Sequence, residues 1–186
     1  MVSRDFSGVT LSTSRFTLRP LQPSDAQALY GMYSNPQFMR YWSSAPWTSI
    51  DQAERMIAND RQDHEAGRHL RLAIIRDADA LFVGTCTLFG FGPHGDRAEI
   101  GYGIAPQFWG RGYMTEAVGA LIAFAFGELG LRRLEADIDP RNAGSARGLE
   151  KLGFTREGLL RERWSVAGEV SDSAIYGLLA REFRAR

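Results

Sequence analysis

The chain has one cysteine, Cys86, and one lysine, Lys151. A lone cysteine excludes an internal disulfide and fits a reducing cytoplasm. It lies in Val83-Gly84-Thr85-Cys86-Thr87-Leu88-Phe89, a strand-like run with no histidine, so a buried inert thiol is expected and no covalent acyl-enzyme. Lys151 falls on a predicted helix surface. His64, His69 and His94 lack metal-ligand spacing with that cysteine or each other, so no metal is expected. Charge of one sign is missing too: 22 basic residues balance 22 acidic ones. Nucleic-acid binding driven by bulk charge is not expected, a local basic patch being the alternative, and no direct nucleic-acid partner is expected. Long hydrophobic runs are absent. The most apolar segment, Ala117 to Phe126, is too short to span a bilayer, and Met1 to Ser14 hold no apolar signal-peptide region, so no membrane partner is expected. Neither Gly-x-x-x-x-Gly-Lys-Ser/Thr nor a full Gly-x-Gly-x-x-Gly after a strand occurs, which argues against a nucleotide-binding regulatory domain.

What is present fits one domain over residues 1–186, with a core of about 14–182 and an N-terminal arm at 1–13. Phe16-Thr17-Leu18-Arg19 alternates as a strand and stops at Pro20. A helix is predicted from Pro23-Ser24-Asp25, with Ser24 as N-cap, to about Asn35-Pro36. Ser49-Ile50-Asp51-Gln52 reads as a capping box for a second helix reaching about Gly67. The connection between them holds Phe38, Tyr41, Trp42 and Trp47. Strands are predicted over Leu70 to Arg76, Leu81 to Phe91 and Arg97 to Ala105, joined by turns at Asp77-Ala78-Asp79 and Gly92-Pro93-His94-Gly95-Asp96. A helix from about Tyr113 to Leu129 is apolar almost all round and suits burial against a sheet. Arg133 to Asp139 reads as a strand stopped by Pro140. A short helix from about Ala143 to Leu152 is closed by Gly153. Phe154 to Ala167 and Val170 to Leu179 form a long hairpin turning at Gly168. Three consecutive hairpin-linked strands exclude a regular doubly wound sheet.

Gln107-Phe108-Trp109-Gly110-Arg111-Gly112-Tyr113-Met114-Thr115-Glu116-Ala117 is the most informative stretch. It sets two glycines and a run of free backbone N–H groups before an apolar helix. The first amides of a helix lack intrahelical partners, and the helix dipole favours an anion there. Glycine lets the backbone turn and approach a ligand. In the preceding strand, Glu99, Gly101, Gly103 and Ala105 share one face. The glycines mark either a bulge or tight contact, or a slot where a ligand lies against backbone. Asn142 is placed to cap the helix that contains Ser145.

The spacing Gln107, Gly110, Gly112 resembles the acyl-CoA-binding fingerprint of the GNAT N-acetyltransferases, Gln/Arg-x-x-Gly-x-Gly/Ala. The string through Glu116-Ala117 is most similar to the RimJ/RimL-like branch. Asn142-Ala143-Gly144-Ser145, followed by Leu152-Gly153-Phe154, resembles the family's second motif. The element order matches as well, over roughly Phe16 to the C-terminus. The resemblance implies a mixed α/β fold whose seven-stranded sheet splays between its fourth and fifth strands and is flanked by helices, the opening made by a bulge in the fourth strand.

It further implies a cytoplasmic enzyme that moves an acetyl group from acetyl-CoA to a primary amine by direct attack. The acceptor would be a protein N-terminus or a small amine, with room for a homodimer. The rival of another class is a non-catalytic acyl-CoA sensor of the same fold. Implied coenzyme contacts are Gly103 and Ile104 in the strand, Gln107, Gly110, Arg111, Gly112, Tyr113 and Met114 in the loop and helix start, and Asn142 on the pantetheine arm. Arg111, Arg141 and Arg147 could meet phosphates; solvated surface arginines are the alternative. Ser145 is assigned to the departing thiol. Other branches use a tyrosine seven residues after the asparagine, where this chain has Leu149. At pH 7 roughly one in ten α-amines is neutral but only about one in two thousand lysines, so a base helps. Glu99 is the candidate, acting through water; a surface carboxylate paired with Arg97 is the alternative. Tyr33, Phe38, Tyr41, Trp42 and Trp164 could wall the acceptor cleft, or be plain core. Acidic residues that would mark a polyamine site do not cluster in the sequence.

Overall fold

The computed structural model describes residues 4–184; residues 1–3 of the expected arm lie outside that range. In chain order the elements are β1 (Leu11–Ser12), β2 (Phe16–Pro20), α1 (Ala26–Tyr33), α2 (Pro36–Met39), α3 (Asp51–Glu65), β3 (Leu70–Arg76), β4 (Leu81–Phe89), β5 (Arg97–Ile104), α4 (Tyr113–Gly127), β6 (Arg133–Ile138), α5 (Ala143–Lys151), β7 (Thr155–Val166) and β8 (Glu169–Leu179). The strands form one mixed sheet in the order β1-β2-β3-β4-β5-β6-β8-β7. It has eight strands where seven were expected. The extra one is β1, a two-residue strand paired with β2 at the sheet edge.

The expected arm is also more than an arm. Phe6 is buried in the core and stacks on Phe91 with ring centroids 5.7 Å apart. Ser24 caps nothing. The chain enters α1 through a 3-10 turn over Pro23–Asp25, and the Asp25 carboxylate accepts the Gln22 N–H at 2.7 Å while pairing with Arg19. A carboxylate outcompetes a hydroxyl here because it also carries the ion pair. The capping box at α3 is present in substance: Gln52 Oε1 accepts the Thr48 and Ser49 amides, and Ser49 Oγ accepts the Asp51 amide. The connection after α1 contains α2, whose N-terminus is capped by Asn35 Oδ1.

The apolar α4 buries Ala117, Val118, Leu121, Ile122 and Ala125 completely. It packs against β4 and β5, and its start meets α5. The contact with α5 is close. A Cβ on Gly148 would lie 1.9 Å from Met114 Cε. The other sheet face carries α1, α2 and α3.

The feature that positions the site is a divergence inside the sheet. β5 and β6 run parallel and pair at three positions only, the last being Glu99 with Glu135. β6 continues with β8 as far as Ile138 opposite Ala174. Beyond Glu99, β5 therefore has a partner strand on its β4 side alone. The register between β4 and β5 is unbroken, so no bulge in β5 makes the opening. The expected bulge is corrected to a parting of strands: β6 follows β8, with which it shares twice as many pairings.

The amide of Ala105 bonds to Val83 O across β4. By antiparallel alternation, Gly103 and Gly101 also point their backbone groups at β4, and Tyr102 and Ile104 point theirs into the opening. The expected slot over the glycines is corrected as well. A Cβ on Gly103 would stand 2.5 Å from Phe38 Cζ and 3.1 Å from Trp42. That glycine admits aromatic rings of the protein itself. Gly103→Ala should therefore cost about 1–3 kcal/mol through overpacking against rings that cannot give way. Urea unfolding measures it; a loss near zero would mean that Phe38 and Trp42 repack freely.

Candidate functional site

The loop after β5 makes one 3-10 turn over Pro106–Phe108 and then passes through Gly110 and Gly112, whose φ values are +74° and +73°. Those left-handed conformations are why the sequence needs glycine there. They turn the chain sharply into α4, and the amides of residues 110–115 find no acceptor among the described residues. Unpartnered N–H groups at the positive end of a 15-residue helix make a site for phosphate oxygens. The loop is braced from behind. Glu116 accepts from Thr13 Oγ1, Ser14 Oγ and the Arg15 amide, and pairs with the Arg15 guanidinium at 2.5 Å. Tyr113 Oη accepts from Arg76 at 3.1 Å.

The second wall is the start of α5. Asn142 Oδ1 accepts the Ser145 amide at 3.0 Å, an N-cap that leaves the Asn142 NH2 for another partner. The Ser145 hydroxyl lies 2.8 Å from Tyr102 Oη. Tyr102 reaches it from β5, on the sheet face that carries α4 and α5. Leu149 is fully buried, so nothing at that position supplies a hydroxyl.

These walls enclose a cleft of about 720 Å³. It takes in the unpaired edge of β5 at Tyr102, Gly103 and Ile104, the loop and helix start at Gly110, Arg111, Gly112, Tyr113 and Met114, and Asn142, Ser145 and Arg147 from the α5 segment. Phe38, Tyr41 and Trp42 also line it. Arg141 lines it but is held by Asp139 at 2.6 Å and Glu169 at 2.5 Å, whereas Arg111 and Arg147 form no ion pair among the described residues. The Ile104 carbonyl accepts the indole N–H of Trp109 at 2.5 Å, so Ile104 offers a ligand its amide.

Four expected residues do not line this cleft. Gln107 is exposed on the 3-10 turn. Tyr33 is core: it stacks on Trp47 at 4.5 Å and meets Phe38 and Trp42 edge-on. Trp164 lies on β7 beside Arg163. Glu99 stands on the opposite face of β5 from Tyr102, half-buried. Burial, together with the nearby Asp137 and Glu135 carboxylates, raises its pKa above the ordinary glutamate value. It has no ion pair with Arg97, which binds Glu135 instead at 2.7 Å. Glu99, Glu135 and Asp137 do come together, which the sequence did not reveal, because β5 and β6 are far apart along the chain. Cys86 is fully buried, and burial pushes its thiol pKa up, as suits an inert core residue.

Among the cleft residues that escaped the sequence reading are Tyr102 and Trp109. Tyr102 was legible by strand alternation, which puts it opposite Glu99. Trp109 gave no signal, since its bond to Ile104 depends on the path of the loop. A smaller cavity of about 400 Å³ lies between α3 and β3. There Asp60 pairs with Arg71 at 2.7 Å, and burial still pushes its carboxyl up to about 6.

The profile of the family described as Acetyltransferase (GNAT) domain matches residues 15–155. The chain is 36% identical over 174 residues to the uncharacterized N-acetyltransferase p20 of Bacillus licheniformis, covering 94% of this chain and 98% of that protein. It is 25% identical over 159 residues to spermidine N(1)-acetyltransferase of Vibrio cholerae, covering 86% and 90%. Among solved structures, Mycobacterium smegmatis RimJ in complex with CoA-disulfide is similar with a TM-score of 0.81 and 26% identity, over 96% of this chain and 86% of that one.

The unpartnered amides around Gly112 predict a specific sensitivity. Gly112→Asp sets a negative side chain where they converge and forces a non-glycine residue to φ +73°. Affinity for coenzyme A should fall by about tenfold or more, the loss of one charge-assisted contact. Isothermal titration reads it; an unchanged Kd would place the phosphates elsewhere.

Proposed function

The chain belongs to the GNAT acetyltransferase family, and we propose that it transfers the acetyl group of acetyl-CoA directly to the α-amine of a protein N-terminus. One observation carries the reading: the unpaired β5 edge lies beside the unpartnered amides of residues 110–115 in a single cleft. In this reading the amides and Arg111 hold the pyrophosphate, with Arg147 as a further cation. The pantetheine arm runs along the open edge of β5 as a strand would, against Tyr102 and the Ile104 amide, with Asn142 opposite. The thioester then lies where the strands part. A β5 amide polarises its carbonyl and stabilises the oxyanion formed on attack.

The amine comes from the other face, where Glu99 stands. Glu99, through water, takes the proton that the ammonium must lose before attack. The nitrogen adds to the carbonyl carbon, the tetrahedral species collapses, and the C–S bond breaks with its electron pair going to sulfur. A thiol of pKa about 8.5 leaves readily, so Ser145 assists without being indispensable.

The charge around Glu99 supports an α-amine over a polyamine. Glu135 is bound by Arg97 at 2.7 Å and Arg133 at 2.8 Å, and Asp137 by Arg163 at 3.4 Å. Among the described residues Glu99 is left as a single carboxylate without an ion pair, which suits one ammonium group and not an extended polycation. A panel of N-terminal peptides, spermidine and aminoglycosides, followed by thiol release from acetyl-CoA, tests the acceptor. Peptides should be turned over best. A preference for spermidine would overturn the acceptor assignment; coenzyme A failing to bind at all would overturn the reaction.

Glu99→Gln should lower kcat at pH 7 by about tenfold to a hundredfold, the lower range for a general base. A base works only when ionised, and the pKa of Glu99 is raised. Wild-type activity should therefore climb across a pH range above that of an ordinary glutamate, and the variant should lose that limb. The two should converge at high pH, where the acceptor amine sheds its own proton. Equal rates at pH 6.5 would remove Glu99 from the mechanism.

A further inference from the structure

Ser145 needs a director. A serine hydroxyl rotates freely, and it helps a departing thiolate only when its hydrogen points at sulfur. Nothing on α5 fixes that direction. The Ser145 amide is used by Asn142, and the position one turn further on is Leu149, buried and apolar. The group within reach is Tyr102, whose Oη lies 2.8 Å from Ser145 Oγ and 3.4 Å from the Ser145 carbonyl. Tyr102 lines the same cleft.

On the acetyl-transfer reading, we infer that Tyr102 is a positioning residue, donating its O–H to Ser145 Oγ so that the serine hydrogen is directed at the coenzyme sulfur. The atoms balance without a tyrosinate. The C–N bond forms and the C–S bond breaks. The electron pair goes to sulfur, which accepts the Ser145 hydrogen bond. The proton lost by nitrogen returns to sulfur through water. Tyr102 keeps its proton throughout, because burial holds its phenol well above the ordinary tyrosine value.

The arrangement also accounts for a chain with Leu149 where other branches have tyrosine. The phenol is supplied from the sheet, and it acts through the serine instead of on sulfur directly. Donation in that sense satisfies both hydroxyls. Tyr102 gives its hydrogen to Oγ, and Ser145 retains one hydrogen for the ligand.

The test is thiolate recognition, which requires no acceptor. Coenzyme A and desulfo-coenzyme A are titrated into the wild type, Tyr102→Phe and Ser145→Ala between pH 6.5 and 9.5. Arg141, Arg147 and Lys151 line the cleft and Tyr176 faces Tyr102 from β8. These groups act on both ligands alike, so the ratio of affinities isolates the sulfur. In the wild type the ratio should rise about tenfold as the thiol ionises, the worth of a hydrogen bond to a charged group. In both variants the ratio should stay flat whatever the absolute affinity for desulfo-coenzyme A, and urea unfolding shows that the variants are folded. The double variant should match Ser145→Ala alone, because the two hydroxyls act as one unit. A wild-type pH response retained by Tyr102→Phe and lost by Ser145→Ala would overturn the inference. Desulfo-coenzyme A failing to bind the wild type would instead overturn the acetyl-CoA reading on which it rests.

Discussion

A backbone that is hydrogen-bonded on one edge and open on the other cannot be left so at no cost, since buried amides and carbonyls demand partners. That constraint organises this molecule. β5 is paired with β4 from Glu99 to Ile104, and β6 leaves it after Glu135. The protein answers part of the demand itself, with the Trp109 indole on the Ile104 carbonyl. The remaining edge faces a cleft whose far wall is the unpartnered start of α4. Two sets of unused backbone groups thus converge on one volume. A molecule with an amide-bearing arm and a pyrophosphate meets both.

The two residues proposed to act on leaving group and nucleophile stand on opposite faces of the sheet. Alternation sends Tyr102 towards α4 and α5, where Ser145 waits, and sends Glu99 towards α1, α2 and α3. On the proposed roles of Ser145 and Glu99, a leaving group handled on one face and a nucleophile activated on the other would not compete for space. Gly103 fits this division. Its missing side chain admits Phe38 and Trp42, which close the acceptor face beside the opening. These rings also line the cleft, so a packing requirement and a boundary of the site are met by the same two residues.

Much of this was legible because it is local. The span of β3 follows from its apolar run and the turn that follows it, and the loop before α4 from two glycines whose φ values prove positive. The hairpin of β7 and β8 turns at Gly168 as expected, with Ala167 also at positive φ. What escaped is non-local. Phe6 joins the core by stacking on Phe91, far along the chain. Asp25 displaces Ser24 at the start of α1 because Arg19 is near. Glu99, Glu135 and Asp137 meet only through a parallel pairing that no short-range pattern encodes. The glycines of β5 were read as a slot for a ligand, and one of them is a socket for Phe38. A missing side chain signals that something approaches closely and is silent about what.

Arginine is the chain's chosen cation, and the acceptor face indicates why that matters. Planar guanidinium groups can engage carboxylates through more than one N–H, and they remain charged at any working pH. Arg133 joins Glu135 to Glu157, Arg97 holds Glu135 from the neighbouring strand, and Arg163 attends Asp137. Glu99 stands within this array without an ion pair among the described residues, raised in proton affinity by burial and by the same two carboxylates. A fully ion-paired Glu99 would be a weaker base, and one among unneutralised acids would hold its proton too long. The neighbouring pairs therefore tune a residue they do not touch. On the proposed role of Glu99, charge substitutions at Arg97 or Arg163 would act on the chemistry through its proton affinity, although neither side chain lines the cleft.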